Sequence, residues 1–170
     1  MHTDTTHPPR RTFLDLSQLA PKELLGMASG ALLLVAMWLP WYSTSSTDPY
    51  SRLAGASGGG SASAWQTFSA LDWVLVVVSL IPFALSWTLV RNTTIGWNRG
   101  EITMLLGIIG CFLIVCNGII LGKPAGAVGI SLGYGYFTAM LATLGIAVAG
   151  YMRQLTGARI ANARKPPGIL

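Results

Sequence analysis

Long uncharged, apolar stretches alternate along the chain with short charged segments. The uncharged runs are 24, 18, 21 and 29 residues long, and they follow, in order, Glu23, Asp72, Glu101 and Lys123. A helix rises about 1.5 Å per residue, so roughly 20 apolar residues cross a hydrocarbon core of about 30 Å. The pattern therefore predicts four membrane-spanning helices, at about 24–42, 72–90, 102–121 and 133–152.

Backbone polar groups find no water in lipid, so each span must be a helix, even where the β-branched run 74–78 would favour a strand in water. The predicted fold class is an all-α membrane protein, a four-transmembrane-helix bundle. Residues 1–23 form a tail, 24–152 the transmembrane domain with an outer loop at 43–71, and 153–170 a basic tail. The stretch 13–19 either lies on the inner membrane surface or leads into the first helix without specific packing.

Basic residues gather on one side of the predicted spans. Nine of the eleven fall there, namely Arg10, Arg11, Lys22, Arg91, Arg99, Arg153, Arg159, Arg164 and Lys165, whereas Arg52 and Lys123 fall on the other side. Loops rich in Lys and Arg stay in the cytoplasm. We therefore expect both termini to be cytoplasmic and 43–71 to face outward. The basic C-terminal tail is an orientation signal first, and a docking site for lipid headgroups or protein second.

Composition agrees with a membrane location. The 170 residues are 52% hydrophobic and only 10% charged, against roughly 25% charged in a typical soluble domain. This excludes an ordinary cytosolic enzyme and a nucleic-acid-binding module, and the net charge of +5 is then mostly a topology signal. A cleaved signal peptide is the competing interpretation of the first span, but the small-residue site 61–64 lies too far beyond it. The outer loop is rich in Gly and Ser, which predicts a flexible linker.

Few residues in the spans suggest chemistry. Asp72 closes the capping-box pattern of residues 69–72, which favours a capping acid at the outer interface over ion or proton handling. Cys111 and Cys116 are five residues apart, so their side chains point to different faces of one helix and are expected to pack. Both histidines lie in the N-terminal tail. We expect no catalytic residue, no metal site and no cofactor.

Two other features could shape a polar contact inside the bundle. Asn117 is the clearest polar side chain in the apolar stretches and is predicted to hydrogen-bond to a neighbouring helix. A contact between Asn117 and a solute or quinone is the alternative. Pro82 should bend the second span, because it removes one backbone hydrogen bond.

Small residues recur at helical spacing and predict close helix contacts. Gly107, Gly110 and Gly118 mark the third span. The candidates for helix packing or a partner interface on the first and fourth spans are Gly26, Gly30, Gly135, Ala139, Thr143, Gly145, Ala147 and Ala149. Because the small residues of the fourth span occupy more than one face, they leave room for an external helix.

Three short motifs carry a resemblance to known proteins. They are Leu39-Pro40-Trp41-Tyr42-Ser43, the segment from Trp65 to Asp72, and the segment from Leu144 to Gly150. Together they resemble small four-span membrane proteins of actinobacteria, which implies a fold and a bacterial plasma-membrane location but no activity. The topology is also similar to that of claudins and tetraspans, although the outer loop lacks the paired cysteines of claudins.

The leading functional hypothesis is a non-catalytic accessory or scaffold subunit of a larger membrane complex, in envelope lipid transport or in respiration. Its partners would be membrane lipids together with that complex or further copies of the chain, and not nucleic acid. The alternative is a small lipid- or solute-binding or transport protein with an intramembrane cavity beside Pro82 and Asn117. An enzyme is the third and least favoured class.

Overall fold

A computed structural model describes residues 20–44, 60–68, 70–91, 98–117 and 130–157 with their side chains. It describes the backbone alone for residues 52–53, 56–57 and 158–163. This part of the chain is mostly helical, which confirms the predicted helical fold. The helices are α1 (Pro21–Trp38), α2 (Ala64–Thr67), α3 (Ala70–Val90), α4 (Arg99–Val115) and α5 (Tyr134–Ala163). The strands are β1 (Pro40–Thr44), β2 (Arg52–Leu53), β3 (Ala56–Ser57), β4 (Ser61–Ser63) and β5 (Ile130–Leu132).

The four long helices form a closed ring in which α1 packs against α5 and α3, and α4 packs against α5 and α3. Consecutive long helices run in opposite directions. At one end of the bundle, Arg153 of α5 contacts Glu23 at the start of α1 and Thr103 near the start of α4. At the other end, Tyr136 near the start of α5 donates to the carbonyl of Ile114 near the end of α4. We call the first end the Arg153 end and the second the Tyr136 end.

Two of the described helices, Ala70–Val90 and Tyr134–Gly157, are long and apolar enough to cross a membrane. The helices α1 and α4 are 18 and 17 residues long and carry Glu23 and Glu101 in their first turns. The structure thus contains two candidate spans packed into a bundle with two slightly shorter apolar helices.

Local sequence explains where the helices begin and end. Pro21 occupies the first turn of α1, where its missing N–H costs no hydrogen bond. Pro40 holds the preceding Leu39 in an extended conformation, so α1 stops at Trp38 rather than continuing to Tyr42. The Asn98 side chain accepts a 3.3 Å hydrogen bond from the Gly100 N–H and caps α4. The helix α5 continues to Ala163, well past the predicted span end at 152.

The predicted outer loop is more ordered than its composition suggested. Strand β1 is central in an antiparallel sheet of order β4-β1-β5, in which Tyr42 pairs with both Ala62 and Leu132. Trp41 and Tyr42 on β1 are buried together with Tyr136 of α5. The expectation of a flexible linker is therefore wrong for 43–44 and 60–68, because these segments pack on the bundle and need no core of their own. Residues 45–51, 54–55 and 58–59 lie outside the described part.

Candidate functional site

A buried polar cluster joins all four long helices at the Arg153 end. The Arg153 guanidinium forms an ion pair with Glu23, and its Nη1 donates a 2.8 Å hydrogen bond to Thr103 Oγ1. Ser86 Oγ donates to Glu23 Oε2 over 3.4 Å. All four side chains are buried. Since each comes from a different helix, the cluster fixes the register of the Arg153 end.

This cluster is partly unsatisfied. Arg153 Nε is buried and has no hydrogen-bond partner among the described residues. A buried charge is costly unless it is paired and fully hydrogen-bonded, so a free N–H on a buried guanidinium is a position where an acceptor would be stabilised.

A pocket of about 380 Å³ opens beside this cluster. Its lining includes the basic residues Lys22, Arg99 and Arg153 and a single acidic residue, Glu23. Basic residues therefore outnumber acidic ones in this lining, and the carboxylate of Glu23 is paired with Arg153. Gly100, at the start of α4, also lines it, and a helix N-terminus carries about half a positive charge.

An apolar groove of about 500 Å³ runs between the start of α1 and the second half of α5. Leu25, Met152 and Leu155 line it, and five of its seven lining residues are apolar. Ala20, Lys22 and Thr156 line both the groove and the charged pocket, so the two cavities adjoin.

The predicted small-residue positions lie at contacts between the chain's own helices. On one face of α5, Gly145 lies against Ser29 of α1, and a Cβ on Gly26 would lie 3.4 Å from Cβ of Ala149. On the face toward α4, a Cβ on Gly107 would lie 2.5 Å from the Ala147 nitrogen. The two faces of α5 therefore serve two internal neighbours.

The remaining small positions are also used inside the chain. A Cβ on Gly110 would lie 3.1 Å from Cγ2 of Thr143. Gly30 lies against the carbonyl of Ser79, Gly135 lies against Pro40, and Ala139 is fully buried. A contact with a partner must accordingly use other residues. Gly118 lies outside the described part of the chain.

The structure separates the two residues that were expected to share a cavity. Pro82 lies at the level of Gly26, whose Cβ would come within 3.5 Å of it, in the half of the bundle nearer the Arg153 end. Asn117 is half-buried just beyond α4, at the Tyr136 end. Neither lines the groove or the charged pocket.

Asp72 lies in the first turn of α3 at the Tyr136 end and is almost completely buried. Its Oδ1 has no hydrogen-bond partner within the described segments. Ser69, the other half of the predicted capping box, lies outside them. A complete capping box is present six positions earlier, between Ser63 and Gln66 at the start of α2.

An aromatic cluster closes the Tyr136 end beneath the sheet. Trp41 stacks edge-on against Phe68 and Tyr136, with centroid distances of 5.6 and 5.8 Å, and its indole N–H donates to the Ala36 carbonyl over 2.8 Å. Burial raises the pKa of Tyr42 above its usual value, and Tyr136 raises it further. Tyr42 therefore stays neutral at physiological pH.

No three His, Cys, Asp or Glu side chains come together as a metal site would require, within the residues that the structure describes. His2 and His7 lie outside that part. Cys111 and Cys116 are half-buried free thiols.

Sequence reasoning missed the polar cluster because it treated Glu23 and Arg153 only as charges that end the spans. One signal was available. Ser86 and Thr103 are polar residues near the cytoplasmic ends of their predicted spans, at the depth where Glu23 and Arg153 were also expected.

No protein-family model matches the sequence, no curated protein is detectably similar to it, and no solved structure matches its fold.

Proposed function

We propose that the chain is a four-span protein of the bacterial plasma membrane, with both termini in the cytoplasm, that works as a non-catalytic accessory subunit of a larger membrane assembly. The ring packing supports four spans. Each of the two candidate spans, α3 and α5, is flanked in the ring by α1 and α4. Helices that pack side by side over their length share the same depth, so α1 and α4 would cross with them.

Exposed aromatic residues mark two levels that fit the two faces of a bilayer. Trp38, Trp73 and Tyr134 are exposed at the Tyr136 end, and Trp87 and Tyr151 are exposed toward the Arg153 end. At 1.5 Å per residue, Trp73 and Trp87 are about 21 Å apart along α3. Trp and Tyr are enriched at both membrane interfaces, so exposed aromatic residues at both ends support a membrane location. The distance of about 21 Å between Trp73 and Trp87 is less than a core of about 30 Å and does not set its thickness.

Charge supports the orientation. Lys22, Arg91, Arg99 and Arg153 all lie at the Arg153 end of their helices. The positive-inside rule places that end in the cytoplasm. The sheet of β4, β1 and β5 would then cover the outer end of the bundle.

One observation carries the accessory role: α4 presents a continuous stripe of large, exposed apolar side chains. Leu105, Ile108, Ile109 and Phe112 recur at spacings of three and four residues, and all are exposed. Because these side chains are exposed, this face of α4 is available for a neighbouring membrane helix. We define these four residues as the α4 stripe.

Purification in a mild detergent from native membranes tests this role. We expect a second membrane protein at constant stoichiometry, and we expect the double substitution Ile108→Ala and Phe112→Ala to release it. The matched control is Val77→Ala with Leu80→Ala, on the exposed face of α3, which should leave the partner bound. Recovery of the free chain alone would contradict the proposal.

The second candidate function is binding of a membrane lipid. The specific observation in its favour is that the apolar groove adjoins the positively charged pocket at the end proposed to be cytoplasmic. The groove between α1 and α5 would hold the lipid, because Pro82 and Asn117 lie in opposite halves of the bundle and share no cavity.

A further inference from the structure

The geometry points to a site for one anionic phospholipid, with its phosphate in the charged pocket and an acyl chain in the adjoining groove between α1 and α5. This inference deepens the second candidate function and depends on the proposed placement of the Arg153 end at the cytoplasmic membrane surface. It assigns a ligand class and an orientation to two cavities that are otherwise unexplained.

The pocket has the chemistry that a phosphate diester needs. Three basic side chains line it against one acidic side chain, and that acid is already paired with Arg153. The Nε atom of Arg153 is a buried donor without a partner among the described residues. Arginine donates well to phosphate oxygens because its guanidinium offers several N–H groups in one plane.

The start of α4 adds to the positive potential. This 17-residue helix begins at the pocket with Asn98, Arg99 and Gly100. Its N-terminal dipole favours an anion at this position. The dipole and the basic side chains therefore act in the same direction, and the acidic groups that oppose them are Glu23 in the lining and Glu101 in the first turn of α4.

The groove has the chemistry that an acyl chain needs. Leu25, Met152 and Leu155 are all partly exposed along it, and its volume of about 500 Å³ lies within the usual range for ligand sites. Lys22 lines both cavities. A molecule with an apolar chain and an anionic head joined at the level of Lys22 would fill both, whereas a free phosphate would fill only the pocket.

Native mass spectrometry of the delipidated full chain tests the site. The probes are dioleoyl phosphatidylglycerol and dioleoyl phosphatidylcholine, which share acyl chains but differ in net charge. We expect one phosphatidylglycerol to bind with at least about 10-fold preference. We expect Lys22→Gln to weaken phosphatidylglycerol binding about 5-fold and Lys22→Arg to retain it. A basic residue near an anionic membrane surface typically strengthens binding by about 5-fold.

A matched control separates a site from a general charge effect. Arg91 is a basic residue at the same end of the bundle, but it lies over the Trp87 ring, 4.9 Å from its centroid, and does not line the pocket. Arg91→Gln should change phosphatidylglycerol binding by less than about 2-fold. The proposal would be overturned if Arg91→Gln and Lys22→Gln weakened phosphatidylglycerol binding equally. It would also be overturned if the unmodified chain bound the two lipids equally.

A second arm distinguishes a lipid from free phosphate. Leu155→Trp narrows the groove without touching the pocket and should weaken phosphatidylglycerol about 5-fold. Inorganic phosphate at millimolar concentration should displace little of the lipid. Full displacement by inorganic phosphate, together with unchanged binding in Leu155→Trp, would overturn the lipid assignment.

Flotation with phosphatidylcholine vesicles tells failure of the site apart from failure of the membrane placement. A chain that floats but shows no headgroup preference overturns the lipid site alone. A chain that does not float overturns both, because the groove would then face water.

Discussion

Glu23 and Arg153, 130 positions apart in the chain, form an ion pair between α1 and α5 in which each side chain is only 6% exposed. Thr103 and Ser86 complete it from α4 and α3. The ion pair thus connects α1 and α5, and its hydrogen bonds to Thr103 and Ser86 connect it to α4 and α3.

Removing one partner of this pair should be strongly destabilising. Arg153→Met leaves the Glu23 carboxylate buried without its cation, which typically costs about 3–5 kcal/mol. The double substitution Glu23→Gln with Arg153→Met should recover part of that loss, because no uncompensated charge remains. Thermal unfolding of the detergent-purified protein measures both.

Arg91→Met is the control for this prediction. Arg91 is exposed and contacts Trp87, so its loss should cost no more than about 1 kcal/mol. Equal destabilisation by Arg91→Met and Arg153→Met would show that the buried pair has no special role.

The α4–α5 contact should not tolerate a methyl group at Gly107. A Cβ there would lie 2.5 Å from the nitrogen and 2.8 Å from the Cα of Ala147, so the two helices would have to move apart. We expect Gly107→Ala to destabilise the protein by about 1–3 kcal/mol. The change is read from the midpoint of thermal unfolding in detergent.

The substitution Gly157→Ala, on α5, should stabilise the protein, whereas Gly107→Ala should destabilise it. An added Cβ meets nothing within 4 Å, and alanine is favoured over glycine inside a helix by about 0.8–1 kcal/mol. If Gly107→Ala left the unfolding midpoint unchanged or raised it, as Gly157→Ala is expected to, the close approach at Gly107 would be refuted.

The packing of the sheet β4-β1-β5 on the Tyr136 end of the bundle should depend on Trp41. This side chain is fully buried, stacks against two aromatic rings and donates a hydrogen bond to α1. We expect Trp41→Ala to cost about 3–5 kcal/mol and to speed amide exchange of 42–44 and 61–63. Trp38, three positions earlier, is 74% exposed, and Trp38→Ala should have little effect on either measurement. Fast exchange of these strands in the unmodified protein would favour the flexible loop expected from composition.

The helical part of this fold follows from local sequence, and the three-stranded sheet at the Tyr136 end does not. Uncharged runs of sufficient length predict the four long helices, because length and polarity are properties of a continuous segment. The sheet requires Tyr42 to meet Ala62 and Leu132, which lie 20 and 90 positions away. Composition of the loop alone cannot contain that information, since Trp41 and Tyr42 obtain their packing partners from the bundle and the loop.

In the candidate site, too, local sequence predicts some features, and the others depend on the three-dimensional arrangement of the helices. Lys22 and Arg153 were predicted to lie near the cytoplasmic surface from the distribution of charge. Their convergence on one pocket depends on which helices are neighbours in the ring, and the spacing of residues within one helix does not specify that order. The small residues did predict close packing, and the structure places them on two faces of α5 that serve α1 and α4.

Cysteine labelling of intact cells tests the central claim, a four-span bundle with its Arg153 end in the cytoplasm. In a background with Cys111→Ala and Cys116→Ala, single cysteines are introduced at three exposed positions, Ser61, Glu101 and Gly157. A membrane-impermeant maleimide should label Ser61→Cys directly, and Glu101→Cys and Gly157→Cys only after permeabilisation. Labelling of Glu101→Cys from outside, or recovery of the chain in the soluble fraction, would contradict the account.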